Sequence, residues 1–300
     1  MDDRKITVSV IIPTYNNAGY IASAVTSVLV QTCQEYEIIV VDDGSTDETM
    51  KVLEPYIKSR AVRYTCQENQ GVSCARNKGI KMSNGELVAF LDADDMWMAN
   101  KLELELEAFR AHPDAGIIHA DIRKVFSDNS ISRPCRYGLS GDEVGKHSGD
   151  VFNDFLSREI YISCSTVMVR KECFDNVGLF DENLSRLGFE DFDMWLRILR
   201  YYQAYYIDEA IALYRVRENS MTRDRAKMQR GHEYVIAKIT DKFGVSEELR
   251  RKASKAMMKE WGMGRYGLIN PMHESLRRCR SKLLFVTKPG FGAWHSGRVG

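Results

Sequence analysis

Three carboxylates stand within four positions at Asp92, Asp94 and Asp95, directly after the apolar run Val88–Leu91. Like charges that close repel one another, and a fold has no need to gather them there. A hard divalent cation has such a need: Mg²⁺ takes one or two carboxylates, keeps several waters and shares substrate phosphates. Two aspartates spaced by two at the end of an extended strand point to one side. Asp92 and Asp94 therefore read as a metal–phosphate pair, and Asp95 as a cap for the helix that begins near Met98. A second acidic pair, Asp42 and Asp43, follows the run "EIIVV". A carboxylate there can accept from a base N–H or a ribose hydroxyl. A third pair, Glu190 and Asp191, opens the segment "GFEDFDMWLRILRYY". Acids at a helix N-terminus are stabilised by its dipole by about 0.3–1 kcal/mol, so composition alone leaves capping and catalysis both open.

These residues need elements that bring them together. Val8–Ile12 is a continuous β-branched run, the pattern of a parallel strand covered on both faces. "AGYIASAVTSVLVQ" has apolar residues at helical spacing, "EIIVV" reads as a strand, and "GSTDETMKVLEPYI" starts a helix with Ser45 and Glu48 spaced as a capping box. "AVRYTC", "GVSCARNKGIKM", "ELVAFL" and "ANKLELELEAFRA" continue the alternation as strand, helix, strand, helix. Such alternation builds βαβ units, and ligands bind at the carboxyl ends of their strands. "PTYNN", "DDGSTD" and "DADD" all fall at such ends. Further on, residues 126–150 are rich in Gly, Ser and Asp and read as a long mobile loop. "CSTVMVR" (Cys164–Arg170) reads as a strand, and from about Arg223 the chain reads as helical and increasingly basic.

The 300 residues are 44% hydrophobic, enough for a large core without staples. Lys+Arg 42 balances Asp+Glu 42, which gives no sign of a nucleic-acid partner. Twelve Lys/Arg against four Asp/Glu lie from Val245 to Gly300, so the preceding 244 residues carry a net −8. The seven cysteines include no CxxC pair, which argues for a reducing compartment and against a zinc site. No apolar run reaches the roughly 18 residues of a membrane span. Neither the dinucleotide fingerprint G-x-G-x-x-G nor a P-loop follows a strand, which disfavours NAD enzymes and P-loop nucleotidases. The expected location is cytoplasmic.

The segments "VSVIIPTYNNAGYIASAVTSVLVQT", "EIIVVDDGSTDET", "NQGVSCARNKGI", "GELVAFLDADD", "GLFDENL" and "GFEDFDMWLR" resemble, in order and spacing, the family 2 glycosyltransferases. The resemblance covers about Val8 to Thr222. It implies an inverting enzyme of GT-A fold, an α/β mostly parallel sheet flanked by helices, using a nucleotide-diphospho-sugar donor. It implies that Pro13, Thr14 and Tyr15 line the nucleotide pocket and that Asp42 holds the base, most often uracil. Arg76 and Asn77 would lie near ribose or diphosphate. Asp92-Ala93-Asp94 would be the D-x-D element, with Asp94 the direct ligand of Mn²⁺ or Mg²⁺. Asp191 would be the catalytic base, with Glu190 orienting it or the acceptor.

One departure stands out. Many relatives carry a His after "YR" that helps bind metal or diphosphate, and Arg217 stands there instead. Arginine has no acceptor and cannot ligate a cation, but it can clamp a diphosphate. The expected layout is a transferase domain over 1–222, with a nucleotide half to about 115 and an acceptor half to 222, then a helical basic extension over 223–300. That extension could lie against an anionic membrane near a lipid-linked glycan acceptor, or serve as a solvated or oligomer-contact helix. Two other functions compete: a sugar-nucleotide nucleotidyltransferase, which would want a Gly-rich basic loop where "PTYNNAGY" stands, and a non-catalytic sugar- or nucleotide-binding relative.

Overall fold

The structure is a computed structural model and describes residues 6–135, 147–217 and 224–260. Its first half follows the expected alternation: β1 (Val8–Thr14), α1 (Ile21–Leu29), β2 (Tyr36–Asp42), α2 (Thr49–Lys58), β3 (Arg63–Cys66), α3 (Val72–Met82) and β4 (Leu87–Phe90). These strands pair in parallel, β2 with β1 and β3, and β1 with β4. The apolar runs are continuous because both faces are buried. Val8, Val10 and Ile12 cluster with Ile21, Val25 and Val28 of α1, while Ile11 points to the other face and joins a cluster with Ile80, Phe90 and Trp195.

The second half departs from the expected pattern. A two-residue β5 (Met96–Trp97) and α4 (Lys101–Ala111) lead into an 11-residue β6 (Ala115–Val125). After α5 (Phe152–Leu156) come β7 (Met168–Arg170), α6 (Lys171–Val177), α7 (Glu190–Leu199) and a 13-residue β8 (Gln203–Arg215). Neither β6 nor β8 was expected. Cys164–Thr166 is a 3₁₀ turn rather than strand, leaving only three residues in β7. The sheet is therefore mixed, in the order β3-β2-β1-β4-β7-β6-β8-β5, with β7 antiparallel to both its neighbours and β5 antiparallel to β8. Within the expected mobile loop, residues 126–135 fold back along β6, with Ser132 N donating to Lys124 O and Cys135 N to Ile122 O at 2.9 Å. Residues 136–146 lie outside the described residues.

Two helix caps also differ from expectation. No capping box forms at α2, because the Ser45 hydroxyl accepts instead from Asn16 N at 3.0 Å, in the loop after β1. Asp95 does not cap α4, whose N-cap is Asn100; it is buried. Beyond residue 223, α8 (Arg225–Phe243) and α9 (Glu247–Glu260) pack Met228, Val235, Ile239 and Met257 into the same core as α7. Most of the basic segment, residues 261–300, lies outside the described residues. No helix among the described residues is long and apolar enough to cross a membrane.

Helix α3 approaches β1 closely at Gly79. A Cβ there would sit 2.5 Å from Cγ2 of Ile11, a β-branched side chain fixed in β1. Glycine inside a helix normally costs about 1 kcal/mol against alanine. Here the clash outweighs that gain, so Gly79→Ala destabilises by about 1–3 kcal/mol. Urea unfolding measures it, and a stabilised variant would show that the strand yields without cost.

Candidate active site at the carboxyl ends of the strands

The loops after β1 and β2 are laced together above the sheet. Asn16, at φ 52°, accepts through Oδ1 from Thr46 N at 2.8 Å, and Ala18 N donates to Asp47 Oδ2 at 3.0 Å. Pro13 and Thr14 end β1 beneath this lacing, and Tyr15 stands 46% exposed beside it, open to a ligand. Asp42 accepts from Ser45 N at 2.8 Å and from the Tyr64 hydroxyl at 3.1 Å. Burial, and then the Asp42 carboxylate, hold the Tyr64 hydroxyl protonated well above its ordinary range. Asp43 turns away and serves the fold: Gln67 Nε2, Gln70 N and Gly71 N donate to its carboxylate at 2.7, 3.0 and 2.7 Å.

The three acids after β4 divide into three tasks. Asp95 is buried inward, accepting from Ser165 Oγ at 2.6 Å and Arg215 N at 2.9 Å. Burial, then the charges of Asp92 and Asp94, push its pKa well up. Ser165 Oγ also receives Asp92 N at 3.2 Å, and Ser165 O receives Trp97 Nε1 at 2.7 Å. Asp95 and Ser165 thus fix the path from β4 to β5, with Ala93 buried between. Asp92 meets Arg76 Nη2 at 2.7 Å, and Asp94 meets Arg217 Nη1 at 3.0 Å. Arg217 also donates to Asn17 Oδ1 at 2.9 Å and lies 4.7 Å from the Tyr20 ring; Arg215 lies 5.1 Å from the same ring. Sequence reasoning missed Ser165, Arg215, Asn17 and Tyr20. Arg215 had a signal as the basic residue of "YR" beside Arg217, and Asn17 as the last residue of "PTYNN"; Ser165 and Tyr20 had none.

Arg76 joins the two acidic motifs. It is buried, and its other nitrogen, Nη1, donates to Glu190 Oε1 at 2.6 Å. Next to Glu190, the half-buried Asp191 has its pKa pushed up to about 7, by burial first and then by the Glu190 charge. Its neighbour Asn77 does something else. Its amide donates to Phe180 O and Glu182 Oε1 at 2.9 and 3.0 Å and accepts from Phe180 N at 2.8 Å. Buried and so engaged, Asn77 staples α3 to the segment before α7.

Among the described residues, no group of three or more His, Cys, Asp or Glu is arranged to hold a metal ion. The donor set of Asp92 and Asp94 suits an ion that completes its shell from a diphosphate and water, since each carboxylate gives only one oxygen to an arginine. Burial and the charge of Asp92 raise the pKa of Asp94, a repulsion that a cation relieves.

A twisted α/β sheet with acids gathered at its strand ends defines a class, the GT-A transferase fold. A solved Staphylococcus aureus TarS 1–349 in complex with UDP-GlcNAc shares that fold, with a TM-score of 0.65 at 20% identity over 86% of this chain and 74% of that one. The chain belongs to glycosyl transferase family 2, whose model matches residues 9–176. It is 33% identical over 242 residues to the Bacillus subtilis "Putative teichuronic acid biosynthesis glycosyltransferase TuaG", covering 80% of this chain and 90% of that one. It is also 33% identical over 204 residues to Escherichia coli WfgD, a UDP-Glc:alpha-D-GlcNAc-diphosphoundecaprenol beta-1,3-glucosyltransferase, covering 67% and 72%. The chain spans only 26% and 30% of the length of two Rickettsia glycosyltransferases that it matches.

Removing Arg76 leaves the carboxylates of Asp92 and Glu190 without their shared cation. Breaking a buried ion pair from one side costs about 3–5 kcal/mol. Arg76→Met should lose stability at the lower end of that range, because Asp92 is partly open to water. Chemical denaturation at pH 8 checks this, and a loss below about 1 kcal/mol would mean that water replaces the guanidinium.

Proposed function

We propose that the chain is an inverting glycosyltransferase that moves a sugar from a UDP-sugar to a hydroxyl of a glycan or lipid-linked glycan. The observation that carries this reading is the placing of Asp191: a half-buried carboxylate, its pKa pushed up to about 7 by burial and by Glu190, the neighbour that shares Arg76 with Asp92. The acceptor hydroxyl attacks the anomeric carbon from the face opposite the diphosphate. Asp191 takes the hydroxyl proton as the new C–O bond forms and the bond to the diphosphate breaks. A base tuned near the working pH contributes typically about 10²–10⁴-fold. Glu190, held by Arg76, keeps the base aligned, and no carboxylate nucleophile is required, so configuration inverts. Arg217 faces the charge that builds on the leaving diphosphate. A divalent ion held by Asp94 and Asp92 would add neutralisation of that charge when bound. Asp42 receives the uracil N–H, with Pro13, Thr14 and Tyr15 around the nucleoside.

The names of relatives support the substrate class: WfgD uses UDP-Glc on a diphosphoundecaprenol-linked sugar, and TarS was solved with UDP-GlcNAc. On this reading the nucleotide half runs to about 115, the acceptor half to 222, and the 223–300 segment follows at a cytoplasmic, peripheral membrane position.

Calorimetric titration of UDP, with Mn²⁺ and with EDTA and with GDP and CMP as controls, tests the donor. UDP-selective binding is the expected result, and its absence under both conditions would overturn the donor reading. Arg217→His should strengthen Mn²⁺ binding in the same titration, while no change would place Arg217 outside the site. Asp191→Asn should lose about 10²–10⁴-fold in turnover and keep its UDP affinity. A base acts deprotonated, so wild-type turnover should rise with pH through about 7. Wild-type turnover in Asp191→Asn would refute the assignment.

A further inference from the structure

The proposed base stands at the start of α7, and the chain enters α7 in an unusual way. Gly188 and Phe189 both adopt left-handed backbone, at φ 82° and 65°. Glycine does so freely, but phenylalanine does not, so its surroundings must hold it there. Part of those surroundings is Arg158, 5.7 Å over the Phe189 ring, and part comes from α8. Gly231 lies inside that helix, where glycine costs about 1 kcal/mol against alanine and so calls for a packing reason. The reason is contact: a Cβ on Gly231 would stand 3.0 Å from the carbonyl oxygens of Leu187 and Gly188 and 3.3 Å from the Phe189 ring. The adjoining His232 is buried, stacked on Phe192 at 5.9 Å and edge-on to Phe189 at 5.4 Å. Two turns later Lys238 reaches both Asp181 Oδ2 at 2.6 Å and Asp193 Oδ1 at 2.8 Å, and Tyr234 OH donates to Asp181 at 3.0 Å. Asp193 is buried on α7, two residues past the base.

We propose that α8 supplies positioning residues for the transfer: Gly231 and His232 hold the left-handed entry that aims Asp191, and Lys238 locks α7 through Asp193. This rests on the reading of Asp191 as base. None of the contacts touches the nucleotide side, where Asp42 and Tyr15 stand. Damage to α8 should therefore show in kcat and spare the donor. The geometry is local enough for small changes to act. Adding one methyl at Gly231 requires the Leu187–Phe189 backbone to give by a few tenths of an ångström, since 3.0 Å is tighter than ordinary contact. Lys238→Met keeps the stem and removes the charge, and Lys238→Arg keeps the charge.

The experiment compares Gly231→Ala, Lys238→Met, Lys238→Arg and Asp191→Asn with wild type in three measurements. Hydrogen exchange follows the amides of residues 192–194 against those of 196–199. Calorimetry gives UDP affinity. Release of UDP from UDP-glucose and UDP-GlcNAc by hydrolysis, with water taking the place of the acceptor hydroxyl, gives kcat and KM per folded molecule. The expected result is exchange at least tenfold faster at 192–194 in Gly231→Ala and Lys238→Met. Their kcat should fall at least tenfold, donor KM and UDP affinity should stay within twofold, and Lys238→Arg should lie near wild type. Unchanged exchange, unchanged kcat, or parallel loss of kcat and UDP affinity would overturn the proposal. If Asp191→Asn keeps wild-type turnover, or neither donor is turned over by wild type, the base or donor reading fails instead. The exchange arm still decides whether α8 holds the entry to α7.

Discussion

The buried guanidinium of Arg76 is the constraint on which the rest of the site depends. It lies between Asp92, 16 residues away, and Glu190, 114 residues away, and holds both at hydrogen-bond distance. Without it, the acids of the β4 rim and of α7 would face one another with no compensating charge, and burial would drive them to protonate. With it, the two halves of the fold are drawn to a common centre. Asp191 can sit close to a cluster of carboxylates and still titrate near neutrality. The pair is oriented rather than strongly stabilising, since the desolvation of three charged groups offsets much of their attraction.

Around that centre, charge is handled by position. Asp95 points inward, where burial and the charges of its neighbours push its pKa up, and it anchors the loop by accepting from Ser165 Oγ and Arg215 N. Asp92 and Asp94 point outward and are each matched to one arginine. The Tyr20 ring lies against both Arg215 and Arg217, and cation–π contact keeps two basic side chains together beside Asp94 where like charges would otherwise spread apart. The result is a rim that alternates cation and anion, suited to a ligand that carries a diphosphate.

Strands β1, β2 and β4 were legible because both their faces are covered, which forces an uninterrupted apolar run such as Val8–Ile12, whereas the half-exposed edge strand β3 was legible only from its place in the alternation. The same reasoning was blind to β6 and β8. "AGIIHADIRKV" buries His119, Asp121 and Lys124, and "QAYYIDEAIALYR" exposes Asp208 and Glu209, so neither reads as a plain apolar or alternating strand. The Ser45–Glu48 spacing suggested a local cap, but a tertiary partner, Asn16 N, took the hydroxyl. Positions of the acidic motifs were readable because topology alone brings strand ends to one rim. What Asp95 and Asn77 do was not readable, since burial and partners from segments 70 to 120 residues away set their tasks. The same holds for α8: its helical character shows in the sequence, whereas its contact with Gly188 and Phe189 exists only once α7 is in place.

Strand order also bears on how the chain is made. The edge of β4 is laid down by residue 90, but its outer neighbour β7 begins only at residue 168, and the arginine that pairs with Asp94 comes at 217. At a synthesis rate of about 5–20 residues per second, the β4 edge waits on the order of 10 s for its partner. During that interval the nascent first half of the sheet carries an open strand edge beside Asp94 and Asp95, whose partners Arg217, Ser165 and Arg215 are still to be made. Mutual repulsion among those acids then works in the chain's favour, because charge next to an unpaired edge discourages another chain from docking on it.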